Sequence, residues 1–409
     1  MKDMKSMKGC ESIEGGVTAP GGFTASGVHA GIKKKGLDLA LLVSERDATA
    51  AGVFTSNRVQ GAHVPICRER LKQGRVRAVV VNSGNANACC GPAGKDAVLA
   101  MSERAGLGLS LPGSAVLVCS TGPIGVPLKV VDVLPGIDEA VSTLSVEGHS
   151  AAARAIMTTD TVHKEGARQV SVDGRTITIG GMSKGAGMIE PNMATMLAFL
   201  TTDAAVEETA LQTCLKAAVD KSFNRISVDG DQSCNDTVLL LANGMAGNRT
   251  LTETHPDWPA FSAAVESLAL ELALKMVEDG EGVTRVVTLR VEGAMTDADA
   301  RLVARAVGNS LLVKTSWYGG EPNWGRVIDA AGYSGAALDQ EKVCISYDGL
   351  PAVVNGQRNA DVAESALAAV IGKPRFELLI QLQMGTGSDY LYGCDCSVDY
   401  VKINSEYLS

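Results

Sequence analysis

Aromatic residues are scarce in this chain. Phe, Trp and Tyr make up 4% of its 409 residues, so the interior must be built from aliphatic side chains packed closely around some of its 45 glycines. Positive charge is also in short supply. Lys and Arg number 37 against 46 Asp and Glu, a formal net charge of -9. That balance excludes the basic surface a nucleic acid needs and removes any general attraction to acidic lipids. No apolar run approaches the roughly 20 residues of a membrane span. The basic start Met1–Lys8 is not followed by an apolar core, so no signal peptide is expected. The ten cysteines form no disulfide framework, and buried, reduced thiols in a cytoplasmic protein are the expectation. What remains, 45% hydrophobic and 20% charged, is the composition of an ordinary globular chain with room for two or three domains.

Several catalytic signatures are missing as well. His29, His63, His149, His163 and His255 have no metal-ligand spacing, and Cys394-Asp395-Cys396 has no second Cys pair. No metal is expected. No phosphate-binding glycine loop follows a strand, so no nucleotide cofactor is expected. Gly181-Met-Ser183-Lys-Gly185 matches the spacing of a nucleophile elbow, but Gly187 and Pro191 follow where the elbow needs a helix. His255 is the one downstream base candidate for a serine hydrolase.

Hydrophobic spacing organises the rest. Leu37–Val43, Ala50–Thr55, Val76–Val81 and Ala115–Cys119 read as strands, the last running into Ser120-Thr121-Gly122-Pro123-Ile124-Gly125. Lys95–Ala105 reads as a helix. Asp173-Gly174 predicts a hairpin between Val170–Val172 and Thr176–Ile179. Thr195–Leu200 and Val238–Ala242 read as strands. Val206, Ala210, Leu211, Cys214, Leu215, Ala218 and Val219 share one helical face, with Asp203 as its expected cap. Phe261 to Met276 marks a long helix ending at Asp279-Gly280. From Thr284 the pattern is that of a smaller α/β unit, with strands at Val286–Val291, Leu311–Thr315 and Phe376–Gln383, and helices at Asp297–Val307 and Ala360–Val370. The mixing of strands and helices predicts layered α+β packing rather than a strictly alternating parallel sheet.

The best nucleophile candidate is Thr195, at the end of the loop that starts at Lys184. Gly185 and Gly187 permit unusual backbone angles and Pro191 stiffens the approach. A threonine in mid-chain is inert without a base. Cleavage between Ala194 and Thr195 would supply one, because an α-amine with a pKa of roughly 7.7–8.0 is partly neutral near pH 7. The plainer alternative is a turn between two strands.

Nine segments in order resemble the ornithine acetyltransferase family of arginine biosynthesis, also called glutamate N-acetyltransferase. They are Gly15–Phe23, Asn82–Asn87, Ser120–Gly125, Ile156–Thr161, Lys184–Leu197, Phe223–Asp231, Glu278–Glu281, Pro322–Arg326 and Asp399–Asn404. The resemblance implies a four-layer α/β/β/α sandwich of the kind shared with DmpA-type aminopeptidases, related to N-terminal-nucleophile hydrolases. It implies self-cleavage at Ala194/Thr195 into an α chain, residues 1–194, and a β chain. The β chain would comprise 195–283, which completes the sandwich, and a smaller α/β domain at 284–409 whose tail returns to the site. An α2β2 assembly follows from the same likeness.

Carried over position by position, Thr195 is the nucleophile, and Thr121 and Gly122 stabilise the oxyanion. Thr158, Lys184, Thr195, Glu281, Asn404 and Ser409 contact substrate. The implied reaction moves an acetyl group from N2-acetylornithine to glutamate with no cofactor, acetyl-CoA being a further co-substrate in some members. Lys184 suits a substrate carboxylate and Glu281 an ammonium group, although alone each would read as a solvated loop charge. Glu190 stands where many members have His and is assigned no role. Ser409 keeps the hydroxyl where Thr is common. Two other readings stay open: an aminopeptidase or amidase of the same fold, and an uncleaved amino-acid-binding protein.

Overall fold

The structure is a computed structural model that describes residues 10–190 and 196–406. Ala194, Thr195 and Ser409 therefore lie outside the described residues. The first part holds strands β1 (Cys10–Ile13), β2 (Phe23–Val28), β3 (Leu39–Phe54), β4 (Val76–Ser83), β5 (Val116–Thr121), β6 (Lys164–Val172), β7 (Arg175–Lys184), β8 (Leu197–Thr202) and β9 (Thr237–Ala242). Its helices are α1 (His63–Lys72), α2 (Gly91–Leu109), α3 (Val130–Ser142), α4 (His149–Ala155), α5 (Glu208–Lys221) and α6 (Trp258–Glu278).

These strands run in the order β1-β6-β7-β8-β9-β3-β4-β5, with β2 also on β3. The long strand β3 belongs to two layers. Its first half pairs with β2 and β4, its second half pairs with β9, and the register shifts between Val43 and Ala48. That break lets the ladder fold over on itself.

Period-two alternation then fills three separate cores. In β8, Ala198 and Leu200 face α5 and α6, while Leu197 and Phe199 face the other sheet layer. In β9, Val238 and Leu240 face the helices, and Leu239 and Leu241 face inward between the layers. In β4, Val79 and Val81 face the inter-sheet core, and Ala78 and Val80 pack with Val98, Met101, Val133 and Ile137 of α2 and α3. Helices, sheet, sheet, helices is the expected α/β/β/α sandwich. Burial on both faces explains why β5, β8 and β9 read as continuous apolar runs.

A second sheet and its helices follow: β10 (Val286–Ala294), α7 (Asp297–Asn309), α8 (Leu311–Gly319), α9 (Trp324–Gly332), β11 (Cys344–Tyr347), β12 (Leu350–Val354), β13 (Gln357–Arg358), α10 (Glu364–Ile371), β14 (Arg375–Gln381), β15 (Gly387–Cys394) and α11 (Val398–Glu406). Their strand order is β13-β12-β11-β14-β10-β15, around a core of their own that includes Trp317, Tyr347 and Phe376.

Two local expectations fail. Leu311–Thr315 is not a strand but the start of α8, capped by the Ser310 hydroxyl accepting from the Val313 N–H. Leu311 and Leu312 are exposed, and the buried residues are Val313, Lys314, Ser316 and Trp317, a helical spacing that three consecutive apolar residues disguise. Asp203 does not cap α5, which starts at Glu208. Its carboxylate instead accepts from the N–H of Thr178 at 2.8 Å and of Gly21 at 3.4 Å, tying β7 to an early loop.

Candidate active site

Six of the expected site residues come from five distant segments and line one cleft. Thr121 ends β5 and Gly122 follows it. Thr158 lies in the loop after α4, Lys184 ends β7, Glu281 follows α6, and Asn404 projects from α11. The cleft together with its open mouth spans about 590 Å³.

The expected oxyanion pair, Thr121 and Gly122, sits on a tightly determined turn. Gly122 has φ +137, and a Cβ there would lie 2.4 Å from the Asn85 nitrogen and 2.5 Å from the Gly84 carbonyl carbon. No side chain fits, and only glycine holds that backbone angle without strain. The Asn85 N–H donates to the Thr121 carbonyl at 3.0 Å, so the turn is pinned through its peptide oxygen.

Lys184 is buried, with 2% of its surface exposed, and its ammonium donates to the Thr158 hydroxyl at 2.7 Å. Burial pushes its pKa below the ordinary lysine value, against the pull of Asp160. Glu281 is held by backbone and by the last helix. Its N–H donates to the Ala186 carbonyl at 2.8 Å, and its Oε2 accepts from the Asn404 amide at 2.7 Å. Gly187 lies so close that a Cβ would sit 2.5 Å from the Glu281 carboxyl carbon. One wall of the cleft thus offers a desolvated cation, another a carboxylate, and a third the Thr121-Gly122 turn.

Below this lies a group that sequence reasoning missed. Lys164 is fully buried and bridges Asp160 at 2.7 Å and Asp279 at 2.6 Å. Asp160 also accepts from the N–H of Gly185 at 2.7 Å and of Thr158 at 3.0 Å, and Asp279 accepts from Thr161. Burial alone would raise Asp160, but Lys184, Lys164 and its hydrogen bonds overcome it and hold the carboxyl at about 2. One buried ion cluster therefore fixes the residues beside both Thr158 and Lys184. Asp160 and Asp279 lie within two of the resembling segments, the one signal that pointed to them.

The approach to residue 195 is held from both sides. Before it, Asp229 accepts from the N–H of Met188 at 2.5 Å and of Ile189 at 2.8 Å, and Met188 has the unusual φ of 56. Burial raises Asp229 to about 6. Glu190 accepts from the Asn309 amide at 3.1 Å and lies 4.0 Å from Arg305, so it anchors this loop to α7. After it, the fully buried Asp236 accepts from the Met196 N–H at 2.7 Å, and burial raises its carboxyl well above the usual range. Asp229 lies in the resembling segment Phe223–Asp231; Asp236, between Asn235 and Thr237 and outside every such segment, left no such signal.

The serine-hydrolase reading fails on geometry. Ser183 is buried inside β7 and a loop follows it. His255 pairs with Asp173 in the hairpin at the opposite end of that strand. Eight residues of strand separate Arg175 from Ser183, about 26 Å. Asp173, His255 and Asp257 form the one metal-compatible cluster among the described residues, but the Arg249 guanidinium already occupies Asp173 at 2.6 Å. Cys394 is buried, with its thiol raised to about 11, and it receives the Lys314 ammonium rather than facing a metal with Cys396.

A model of the ArgJ family matches residues 24–409. The arginine biosynthesis bifunctional protein ArgJ of Caldanaerobacter subterraneus subsp. tengcongensis is 45% identical over 400 residues, covering 97% of this chain and 99% of that protein. Its counterpart in Symbiobacterium thermophilum is 46% identical over 400 residues, with the same shares covered. Among solved structures, ArgJ of Bacillus halodurans is similar at 39% identity and a TM-score of 0.49, covering 51% of this chain and 98% of that one. With matches at this identity over almost its whole length, the chain belongs to the ArgJ family.

Proposed function

We propose that this cleft transfers an acetyl group from N2-acetylornithine to L-glutamate, in arginine biosynthesis, through an acetyl ester on Thr195. The observation that carries the reading is the convergence of Thr121, Gly122, Thr158, Lys184, Glu281 and Asn404 on one cleft. Both substrates are amino acids with a carboxylate, which a buried ammonium such as Lys184 attracts strongly once water is excluded. The side-chain ammonium of acetylornithine meets Glu281, oriented by Asn404.

The chemistry has two halves. The chain first cuts itself between Ala194 and Thr195, and the new α-amine takes the proton of the Thr195 hydroxyl as that oxygen attacks the acetyl carbonyl. The Thr121 hydroxyl and the Gly122 N–H receive the oxyanion, each such donor being worth about 2.7–4 kcal/mol. The bond to the ornithine nitrogen breaks, that nitrogen takes the proton, and ornithine leaves. Glutamate then attacks the ester through its amine, and N-acetylglutamate leaves with the hydroxyl restored. No metal or cofactor enters either half. Acetyl-CoA can load the same hydroxyl, since thioester attack needs the same nucleophile and oxyanion donors; formation of N-acetylglutamate from acetyl-CoA and glutamate tests this.

The cut chains, 1–194 and 195–409, stay together because β7 and β8 pair across the cut from Ile179 to Lys184, and two such pairs form an α2β2 assembly. No helix among the described residues is long and apolar enough to cross a membrane, and ten free thiols suit a cytoplasmic protein. Isotope exchange tests the two-half scheme. Labelled ornithine should enter N2-acetylornithine without glutamate present; exchange that requires glutamate would contradict it.

A further inference from the structure

The oxyanion donors and the charged walls account for most of the substrate, but not for the methyl group of the acetyl unit. That group needs an apolar surface next to the oxyanion turn. One is present. Ala86, Ala88 and Cys234 form a small cluster separate from the main cores, with Ile124 packed against it. Ala86, Ile124 and Cys234 all line the cleft beside Thr121 and Gly122.

The patch is fixed rigidly to the oxyanion turn. The Ala86 N–H donates to the Pro123 carbonyl at 3.0 Å, and the Gly125 N–H to the Ala88 carbonyl at 3.0 Å. The Asn235 amide donates to the carbonyls of Ala86 and Ser120, each at 2.6 Å. The Cys234 thiol donates to the Asn235 side-chain oxygen at 2.8 Å. Burial raises that thiol to about 11, so it is not a second nucleophile at neutral pH. Met188, another apolar side chain at the cleft, stands on the Glu281 wall next to Gly187.

We propose that Ala86, Ile124 and Cys234 form the acyl subsite, which receives the acetyl methyl group and limits the transferred acyl chain to two carbons. Ala86 and Cys234 are 2% and 3% exposed and held by Asn235, so this wall cannot recede to admit a longer chain. Ile124, half-buried on the loop, closes the patch. The inference rests on the acetyl-transfer reading and adds the determinant of acyl length.

The test compares kcat/KM for N-acetyl-, N-propionyl- and N-butyrylornithine, with glutamate as acceptor. Ile124→Ala should raise the propionyl-to-acetyl ratio by about tenfold or more, the usual worth of one methylene in a fitted apolar pocket. Ala86→Val should lower kcat/KM for the acetyl substrate by about tenfold or more, with ornithine binding measured by calorimetry unchanged. A ratio unmoved by Ile124→Ala overturns the proposal. This ratio does not depend on the fraction of folded enzyme, so it decides the matter even where Ala86→Val folds poorly. Wild-type enzyme that moves no acetyl group to glutamate would instead overturn the acetyl-transfer reading itself.

Discussion

The Asn404 amide donates to the Glu281 carboxylate at 2.7 Å across 123 residues of sequence. This bond makes the last helix part of the cleft and engages one of the two Glu281 carboxylate oxygens. Tyr400 on the same helix donates to Asp229 at 3.3 Å, and Asp229 in turn accepts from Met188 and Ile189, so one helix touches Glu281 directly and reaches the loop before Thr195 through Asp229.

Glu281→Gln should separate the two half-reactions. N2-acetylornithine presents an ammonium group to this position, whereas glutamate presents a second carboxylate. Loss of a buried charge pair costs about 2–5 kcal/mol. The kcat/KM for N2-acetylornithine should fall about 30-fold or more, and that for glutamate much less. Initial rates with each substrate varied in turn check the asymmetry.

The pH profile should be bell-shaped with assignable limbs. The Thr195 α-amine must be neutral, so activity should rise through its reference range of roughly 7.7–8.0. Lys184 must stay charged, and burial lowers its pKa below the ordinary 10.5. Activity should therefore fall on the alkaline side before pH 10.5, as KM for glutamate rises. Lys184→Arg, which stays protonated, should move that limb upward.

Gly122→Ala should act on turnover rather than on binding. The added carbon would meet the backbone of Asn85 and Gly84 at 2.4–2.5 Å, so the turn must shift and the oxyanion donors with it. A drop of about 100- to 1,000-fold in kcat, with KM changed far less, is the expected result in steady-state kinetics.

The buried cluster beneath the cleft should dominate stability there. Lys164→Met leaves Asp160 and Asp279 buried without their shared cation, which costs about 3–5 kcal/mol. Asp160 titrates at about 2 in the folded chain against an ordinary 3.8. Its contribution, about 2 kcal/mol, is present above pH 3.8 and is lost as pH falls through 2. Denaturant titrations at pH 7, 4 and 3 should show a weaker acid dependence in Asp160→Asn than in the wild type.

Much of this was legible in the sequence where one rule governs each residue. Buried runs in β5, β8 and β9 and the helical face of α5 follow directly from apolar spacing. The site residues were legible by resemblance alone, because nothing local distinguishes Lys184 or Glu281 from solvated charges. Lys164 and Asp236 stayed hidden for a related reason: Asp279, the second partner of Lys164, and Met196, the partner of Asp236, lie 115 and 40 residues away in the chain. Leu311–Thr315 was misread because a run of three apolar residues fits either period, and the Ser310 cap and Trp317 decide for helix. Asp203 looked like a cap because an acid precedes a helical face, yet its partners are strand and loop N–H groups.

The most direct test of the central claim is the mass of the purified protein before and after N2-acetylornithine, without glutamate. The account predicts two chains, the second beginning at Thr195, and a gain of one acetyl group on its N-terminal peptide that glutamate then removes. Thr195→Ala should remain a single unacetylated chain. An active enzyme that stays one intact chain, or that carries the acetyl group on another residue, would contradict the account.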